Sequence, residues 1–138
     1  MALHISFDTD KEAVQALEDG LTAYNQAVIG PDVESGPFAL IARDDAGKIV
    51  GGLSGRIYLD TLHVSILWLD EKLRGEGHGR TLMERAEKEA RAKGVNYASL
   101  STLSWQARPF YESLGWKVLG EMPVLSGAHK RYYMWKML

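Results

Sequence analysis

The chain has 138 residues and a mass of 15.4 kDa. This length predicts a single domain over residues 1–138 that can bury a sizeable core. Its 46% hydrophobic and 25% charged residues exclude a disordered chain and a collagen-like fibre. With 16 Lys and Arg against 18 Asp and Glu, the net charge of −2 gives no electrostatic reason to expect nucleic acid as a partner. The absence of cysteine excludes disulfides, thiolate zinc sites and a cysteine nucleophile.

The sequence predicts neither a secretory signal nor a membrane-spanning segment. Residues 1–10 lack a basic stretch followed by an apolar run. The longest apolar run, residues 62–69, is far shorter than the roughly 20 residues that a membrane helix needs. We therefore expect a soluble, cytoplasmic protein without membrane partners, and the absence of cysteine fits a reducing compartment.

The beginning of the chain predicts a short strand followed by helices. Residues 3–7 predict the strand. Thr9 and Glu12 have the spacing of a capping box, which marks a helix start. Gly20 interrupts the helical pattern, so we expect a second helical piece over residues 21–28.

The next part predicts three antiparallel strands. Residues 38–43 and 48–59 have the composition of strands, and residues 44–47, Asp-Asp-Ala-Gly, predict the turn of a hairpin between them. Residues 60–61 permit a second tight turn. Residues 63–69 are apolar on both faces, as expected for a central strand.

The remainder predicts two helices and three strands. The first helix follows a glycine-rich loop and runs to about residue 93, with apolar residues on one face. The later elements are a strand over 97–102, a helix over 107–114, and strands over 116–120 and 131–137. The complete order predicts an α/β fold, a mixed sheet of six to seven strands with about four helices on its faces.

The glycine-rich loop, R-G-E-G-H-G over residues 74–79, is the strongest chemical signal. Three alternate glycines let the backbone approach a ligand closely. The first N–H groups of the following helix lack partners and, with the helix dipole, suit a phosphate; Arg74 and Arg80 add positive charge. The spacing differs from the dinucleotide-binding G-x-G-x-x-G, and no G-K-[ST] completes a Walker A loop. A flexible turn is the structural alternative.

Two motifs in this sequence resemble those of one family. Residues 74–79 resemble R-x-x-G-x-G/A, the acyl-CoA motif of the GNAT (GCN5-related) N-acetyltransferases, and residues 110–116, F-Y-E-S-L-G-W, resemble the second motif, F/L-Y-x-x-L-G-F. Their interval is typical, and the resemblance spans roughly residues 38–137. It implies the GNAT fold and an N-acetyltransferase that uses acetyl-CoA as acyl donor. The four histidines show no metal-ligand spacing, so we expect no metal.

The resemblance also implies where acetyl-CoA binds. The amides of residues 74–79 would bind the pyrophosphate. The strand end at residues 67–69 would diverge from the next strand, pair with the pantetheine and polarise the thioester carbonyl with an amide near Leu69. Two departures from the family pattern concern these contacts: Trp105 replaces an Asn, with Gln106 as a substitute donor, and Glu71 replaces a Pro. The expected acetyl-CoA-binding residues are Leu67, Trp68, Leu69, Arg74, Gly75, Glu76, Gly77, His78, Gly79, Arg80, Gln106 and Phe110.

Tyr111 and His63 are the candidate catalytic residues. Tyr111 matches the family tyrosine that protonates the leaving CoA thiolate, and a tyrosine in an apolar pocket has a pKa of about 10 or higher. The alternative is a core aromatic. His63 lies where some family members have a catalytic Glu, and its imidazole could take the amine proton. The alternative is a half-buried strand histidine beside Asp60 and Thr61.

The acceptor side is less defined. The resemblance places Tyr24 and Asn25 at the acceptor cleft, and His129 is a third candidate substrate contact; a helix-end cluster and a loop histidine are the alternatives. The aromatic tail over residues 130–135 suits either core or a homodimer contact. Three acidic residues could attract a cationic amine or belong to a solvated surface: Glu34, Asp60 and Asp70.

The expected reaction is direct transfer of the acetyl group to a primary amine of a small molecule. Direct attack by the amine requires no nucleophilic side chain, which agrees with the absence of cysteine. Two alternatives stay open. One is a non-catalytic module that binds CoA or acyl-CoA, and the other is an acetyltransferase of a protein N-terminus or lysine.

Overall fold

The chain forms three α-helices and six β-strands within residues 1–30 and 35–138, which the computed structural model describes. The helices are α1 (Lys11–Ile29), α2 (His78–Ala92) and α3 (Arg108–Ser113). The strands are β1 (Gly36–Arg43), β2 (Ile49–Tyr58), β3 (Thr61–Leu69), β4 (Tyr97–Leu103), β5 (Lys117–Val124) and β6 (His129–Met137). No helix in these residues is long and apolar enough to cross a membrane.

The chain divides into two units, Met1–Val33 and Glu34–Leu138. The first unit contains α1, and the second contains the six strands with α2 and α3. The strand predicted over residues 3–7 is wrong, because a strand needs a hydrogen-bonded neighbour and these residues enter no ladder of the described chain.

Helix α1 is a single helix of 19 residues. Its N-cap is Asp10, whose carboxylate accepts the N–H groups of Glu12 and Ala13 at 3.2 and 3.4 Å, so the cap lies one residue beyond the predicted Thr9. The helix continues through Gly20, and the predicted division into two helices is wrong. An interior glycine costs only about 1 kcal/mol, which a long helix tolerates.

The second unit is a six-stranded mixed sheet in the order β1-β2-β3-β4-β6-β5. Strands β1 to β3 form an antiparallel meander whose first turn is held by Asp44, which accepts the N–H groups of Ala46 and Lys48. Strands β4, β6 and β5 are also antiparallel, and a parallel pairing of β3 with β4 joins the two halves. The predicted mixed α/β fold is confirmed, with six strands and three helices.

The hydrophobic core lies between the sheet and the face of α2 that carries Met83, Ala86 and Ala90, all three buried at helical spacing. Strands contribute residues at alternate positions, as a sheet with one buried face requires. The buried strand residues include Phe38, Leu53, Ile57, Leu62, Val64, Ala98, Leu100 and Met134.

Strands β3 and β4 diverge part-way along, and this divergence creates the site described below. The two strands pair over four residues, ending with Val64 opposite Leu100. At the same level the register between β2 and β3 shifts and leaves Ser65 as an extra, bulged residue. Gly55 of β2 approaches β3 so closely there that a Cβ on it would clash with the carbonyl oxygen of His63. Glycine at this position therefore allows the bulge.

Candidate active site

The divergence of β3 from β4 forms a cleft of about 310 Å³. One wall is β3 beyond its last pair with β4, the other wall is the end of β4, and Tyr111 of α3 closes one side. The lining residues are Val64, Ser65, Ile66, Leu67, Leu100, Ser101, Thr102, Gln106, Ala107 and Tyr111.

The edge of β3 that faces this cleft offers backbone groups to a ligand. The Asp70 N–H donates to the carbonyl of Val50 at 2.8 Å and so points toward β2. Because successive residues of a strand direct their backbone polar groups to opposite sides, those of Leu67 and Leu69 point away from β2. On that side Arg74 Nε donates to the Leu69 carbonyl at 3.1 Å, and no strand of the described chain pairs with either amide. A ligand can therefore lie along this edge as an added strand.

The glycine-rich loop forms a second, adjoining cavity of about 570 Å³. Gly75 and Gly77 have φ angles of 82° and 84°, in the left-handed region that favours glycine. Gly77 caps α2 without a side-chain hydrogen bond, and the first helical bond runs from the Thr81 N–H to the Gly77 carbonyl. The N–H groups of residues 78–80 therefore have no partner within the helix. The cavity is lined by Leu67, Leu69, Arg74, Gly75, Gly77, His78, Gly79, Arg80, Ala107 and Phe110.

Charge around this loop favours an anion. Helix α2 has no acidic residue in its first turn, so the positive end of its dipole is not neutralised there. Arg74 and Arg80 line the cavity. The nearby Glu76 carboxylate lies 3.2 Å from the Nε2 of His78 and is therefore engaged by a side chain of the loop itself. These residues fit the pyrophosphate predicted from the motif.

Phe110 joins the loop to the cleft. A Cβ on Gly79 would lie 3.3 Å from Cζ of the Phe110 ring, so the start of α2 and the start of α3 are in contact at this glycine. The same ring packs edge-on against Tyr111, with ring centroids 5.2 Å apart. Leu67 and Ala107 line both cavities. One elongated ligand can therefore occupy the loop and the cleft together.

Tyr111 presents a protonated hydroxyl to the cleft. The residue is 8% exposed, and its ring also packs edge-on against Trp116 at 6.1 Å. Burial raises the pKa of the Tyr111 phenol above its ordinary value, because the charged phenolate is poorly solvated there. Its hydroxyl makes no hydrogen bond to another residue of 1–30 or 35–138. The group is thus a free proton donor at neutral pH.

Gln106 connects the end of β4 to the start of α3. Its Oε1 accepts the Thr102 hydroxyl at 3.2 Å and the Leu103 N–H at 2.7 Å. The Ala107 N–H donates to the Thr102 hydroxyl at 3.5 Å. The side-chain carbonyl of Gln106 therefore bonds within the protein, and its side-chain NH₂ is the group left for the predicted contact with acetyl-CoA.

The structure does not bring the predicted histidines into the cleft lining. The Nδ1 of His63 lies 2.9 Å from the hydroxyl of Ser99, in the paired part of β3 and β4. The Nδ1 of His129 lies 2.9 Å from the hydroxyl of Ser104, and its ring packs edge-on against Trp105 at 4.8 Å. The roles of both histidines stay predictions.

The remaining predicted acceptor residues belong to other elements of the chain. Tyr24 and Asn25 lie in α1, in the first unit, and their role also stays a prediction. The carboxylates of Asp60 and Asp70 accept hydrogen bonds from nearby residues at 3.3 and 3.1 Å. Glu34 lies outside the described residues.

Sequence reasoning missed the polar residues that line the cleft beside Tyr111. Ser65, Ser101 and Thr102 are ordinary strand residues, and no motif singles them out. The Ser101 hydroxyl accepts a hydrogen bond from Nη1 of Arg131 at 3.1 Å, so a cation from β6 also reaches this wall. In the described part of the chain, no three His, Asp or Glu side chains cluster in a way that could hold a metal ion.

Comparisons with known proteins agree with this geometry. The model of the acetyltransferase (GNAT) family matches residues 5–116. The chain is 34% identical over 117 residues to Acetyltransferase Atu2258 of Agrobacterium fabrum, a match that covers 85% of each chain. It is 35% identical over 97 residues to blasticidin-S acetyltransferase of Streptomyces morookaense, which covers 67% of this chain and 71% of that one. A crystal structure of an acetyltransferase from Agrobacterium tumefaciens has a TM-score of 0.89 and 31% identity over 100% of both chains.

The family match includes the glycine-rich loop, the diverging strand edge and Tyr111, the three features that build the site. The two motifs identified in the sequence therefore lie where the fold joins them into two adjoining cavities. The chain belongs to the GNAT acetyltransferase family and is an acetyl-CoA-dependent acyltransferase.

Proposed function

We propose that this protein transfers the acetyl group of acetyl-CoA directly to a primary amine of a small molecule. The observation that carries the proposal is the protonated hydroxyl of Tyr111, which has no hydrogen-bond partner in the described residues and closes one side of a cleft that has the open edge of β3 as a wall. This arrangement provides a proton donor and backbone amides on two sides of one small space.

The reaction needs a donor to the oxyanion, an acid and a base from the protein. The amine nitrogen attacks the thioester carbonyl carbon, so a C–N bond forms and the carbonyl oxygen gains charge. An amide at the open edge, that of Leu69 in our proposal, stabilises this oxyanion. The C–S bond then breaks, and the CoA thiolate takes the proton of the Tyr111 hydroxyl.

The amine must also lose two protons. One leaves before the attack and makes the nitrogen a nucleophile, and the other leaves as the amide forms and restores the Tyr111 hydroxyl. His63 is our candidate base, acting through water, because it lies one residue before the end of the β3–β4 pairing, next to the cleft. Its Nδ1 is positioned by Ser99, and its Nε2 has no hydrogen-bond partner in the described part of the chain. Histidine is the side chain that most often serves as a general base in enzymes.

A small acceptor is supported by the size of the cleft and by one relative. A space of about 310 Å³ lies at the lower end of the range for small-molecule pockets. The relative from Streptomyces morookaense is named for blasticidin S, a small-molecule acceptor. Residues 1–138 form one GNAT domain in this proposal, because the matched span 5–116 includes residues of both units. A homodimer and a cytoplasmic location stay predictions.

The test is acetyl transfer by the purified protein with acetyl-CoA and a panel of small primary amines. Thiol release should depend on the amine, and the product should carry one acetyl group on nitrogen. Release with peptide N-termini or peptide lysines but with no small amine would favour a protein acceptor. Binding of acetyl-CoA without transfer to any acceptor would favour a non-catalytic module.

A further inference from the structure

Arg131 is a half-buried cation at the margin of the cleft, and no acidic side chain of the described residues pairs with it. It lies on β6, and its Nη1 donates to the Ser101 hydroxyl at 3.1 Å, where Ser101 lines the cleft. Within residues 1–30 and 35–138 no carboxylate lies within 4.0 Å of its guanidinium. The neighbouring Lys130, in contrast, has the Glu121 carboxylate at 3.0 Å. A guanidinium has five N–H donors, and one of those of Arg131 bonds to a described residue.

The strands around Arg131 provide no compensating negative charge. Glu121 is the one acidic residue in the six described strands, and it is already paired with Lys130. Of the three acids that the sequence suggested as amine-attracting groups, Asp60 and Asp70 lie outside the strands and do not line the cleft, and Glu34 lies outside the described residues. A simple cationic amine would therefore meet at this wall a positive charge that no carboxylate of the described residues pairs with.

We infer that the acceptor carries an anionic group, a carboxylate or a phosphate monoester, close to its amine, and that Arg131 binds this group. This inference rests on the proposed transfer to a small amine. A planar guanidinium matches the two oxygens of either anion, and such charge-assisted pairs are the stronger hydrogen bonds in proteins. The Ser101 hydroxyl holds the guanidinium at the wall of the cleft, so Arg131 selects among amines.

The test compares matched amines that differ only in the anion. One pair is 4-aminobutyrate and butylamine, and the other is O-phosphoethanolamine and ethanolamine. For each amine, kcat/KM with acetyl-CoA and the binding constant for the CoA-loaded protein are measured in the wild type and three variants. The variants are Arg131→Gln, Arg131→Lys and Arg56→Gln; Arg56 is an exposed cation of β2 that serves as the matched control.

The wild type should favour the anionic member of at least one pair by about ten- to a hundredfold, the range for a hydrogen-bonded charge. Arg131→Gln should remove this preference and leave kcat/KM for the neutral amines unchanged. Arg131→Lys should retain part of the preference, and Arg56→Gln should retain all of it. The pair with the larger preference identifies the anion. Equal affinity within both pairs, or an equal loss for both members in Arg131→Gln, would overturn the inference. If no amine is acetylated, the proposed function fails, while the binding constants still decide the role of Arg131.

Discussion

Replacement of Tyr111 by phenylalanine should remove the proton donor and leave the fold intact. The Tyr111 ring packs against Phe110 and Trp116, and phenylalanine keeps both contacts. The hydroxyl bonds to no residue of the described chain, so its loss leaves no buried polar atom unpaired. We therefore expect the free energy of unfolding to change by about 0.5 kcal/mol or less. A positioned general acid contributes about 10² to 10⁴ in rate, and kcat should fall by that factor.

The assay is thiol release at saturating acetyl-CoA and amine, together with isothermal titration of acetyl-CoA and thermal unfolding. The matched control is Tyr97→Phe, a tyrosine at the start of β4 that is 40% exposed and does not line the cleft. It should retain wild-type kcat. A Tyr111→Phe variant with full kcat would refute the assignment of Tyr111 as the acid. A variant with a lower Tm or with weaker acetyl-CoA binding in proportion to its rate would show that Tyr111 acts through structure.

Three further predictions concern pH and stability. The pKa of Tyr111 is higher in the folded than in the unfolded chain. The contribution of this group to the free energy of unfolding is therefore complete below about pH 10 and is lost as the pH rises through the folded pKa. The Tm of the wild type should fall more steeply with alkaline pH than the Tm of Tyr111→Phe. Gly55→Ala should lower the free energy of unfolding by about 3 kcal/mol in urea titration, because the new Cβ clashes with the His63 carbonyl, and an unchanged urea midpoint would contradict the bulge geometry. Lys136→Met should lower the free energy of unfolding by about 2 kcal/mol, because the buried Glu87 loses its partner at 2.7 Å and keeps Arg91 at 4.0 Å, and the double variant with Glu87→Leu should regain most of this loss.

The local geometry of the candidate site was predictable from neighbouring residues in the sequence. The glycine-rich loop needs residues that accept positive φ before a helix start, and Gly75 and Gly77 provide them. The F-Y-x-x-L-G-W motif marks the short helix that carries Tyr111. The hairpin turn after β1 was equally local, since Asp44 bonds to N–H groups within four residues of itself. Each of these features depends on neighbours in the chain.

The features that were predicted wrongly or not at all depend mostly on pairing between distant parts of the chain. Residues 3–7 have strand composition, but a strand forms only where another backbone pairs with it. The bulge at Ser65 depends on how β2 and β3 align, and no residue type at 65 reveals it. Arg131 meets Ser101 across 30 residues of sequence, through the pairing of β4 with β6. The continuous α1 is a different case, since a long helix absorbs the small cost of Gly20.

The measurement that tests the central claim most directly is a single-turnover reaction with acetyl-CoA labelled in its acetyl group. The protein and a reactive amine are mixed with less than one equivalent of labelled acetyl-CoA, and quenched samples are analysed for label on the amine and on the intact protein. Direct transfer at the cleft predicts that label moves from CoA to the amine with no labelled protein at any time. Label that appears first on the protein and then passes to the amine would contradict direct transfer and the role assigned to Tyr111.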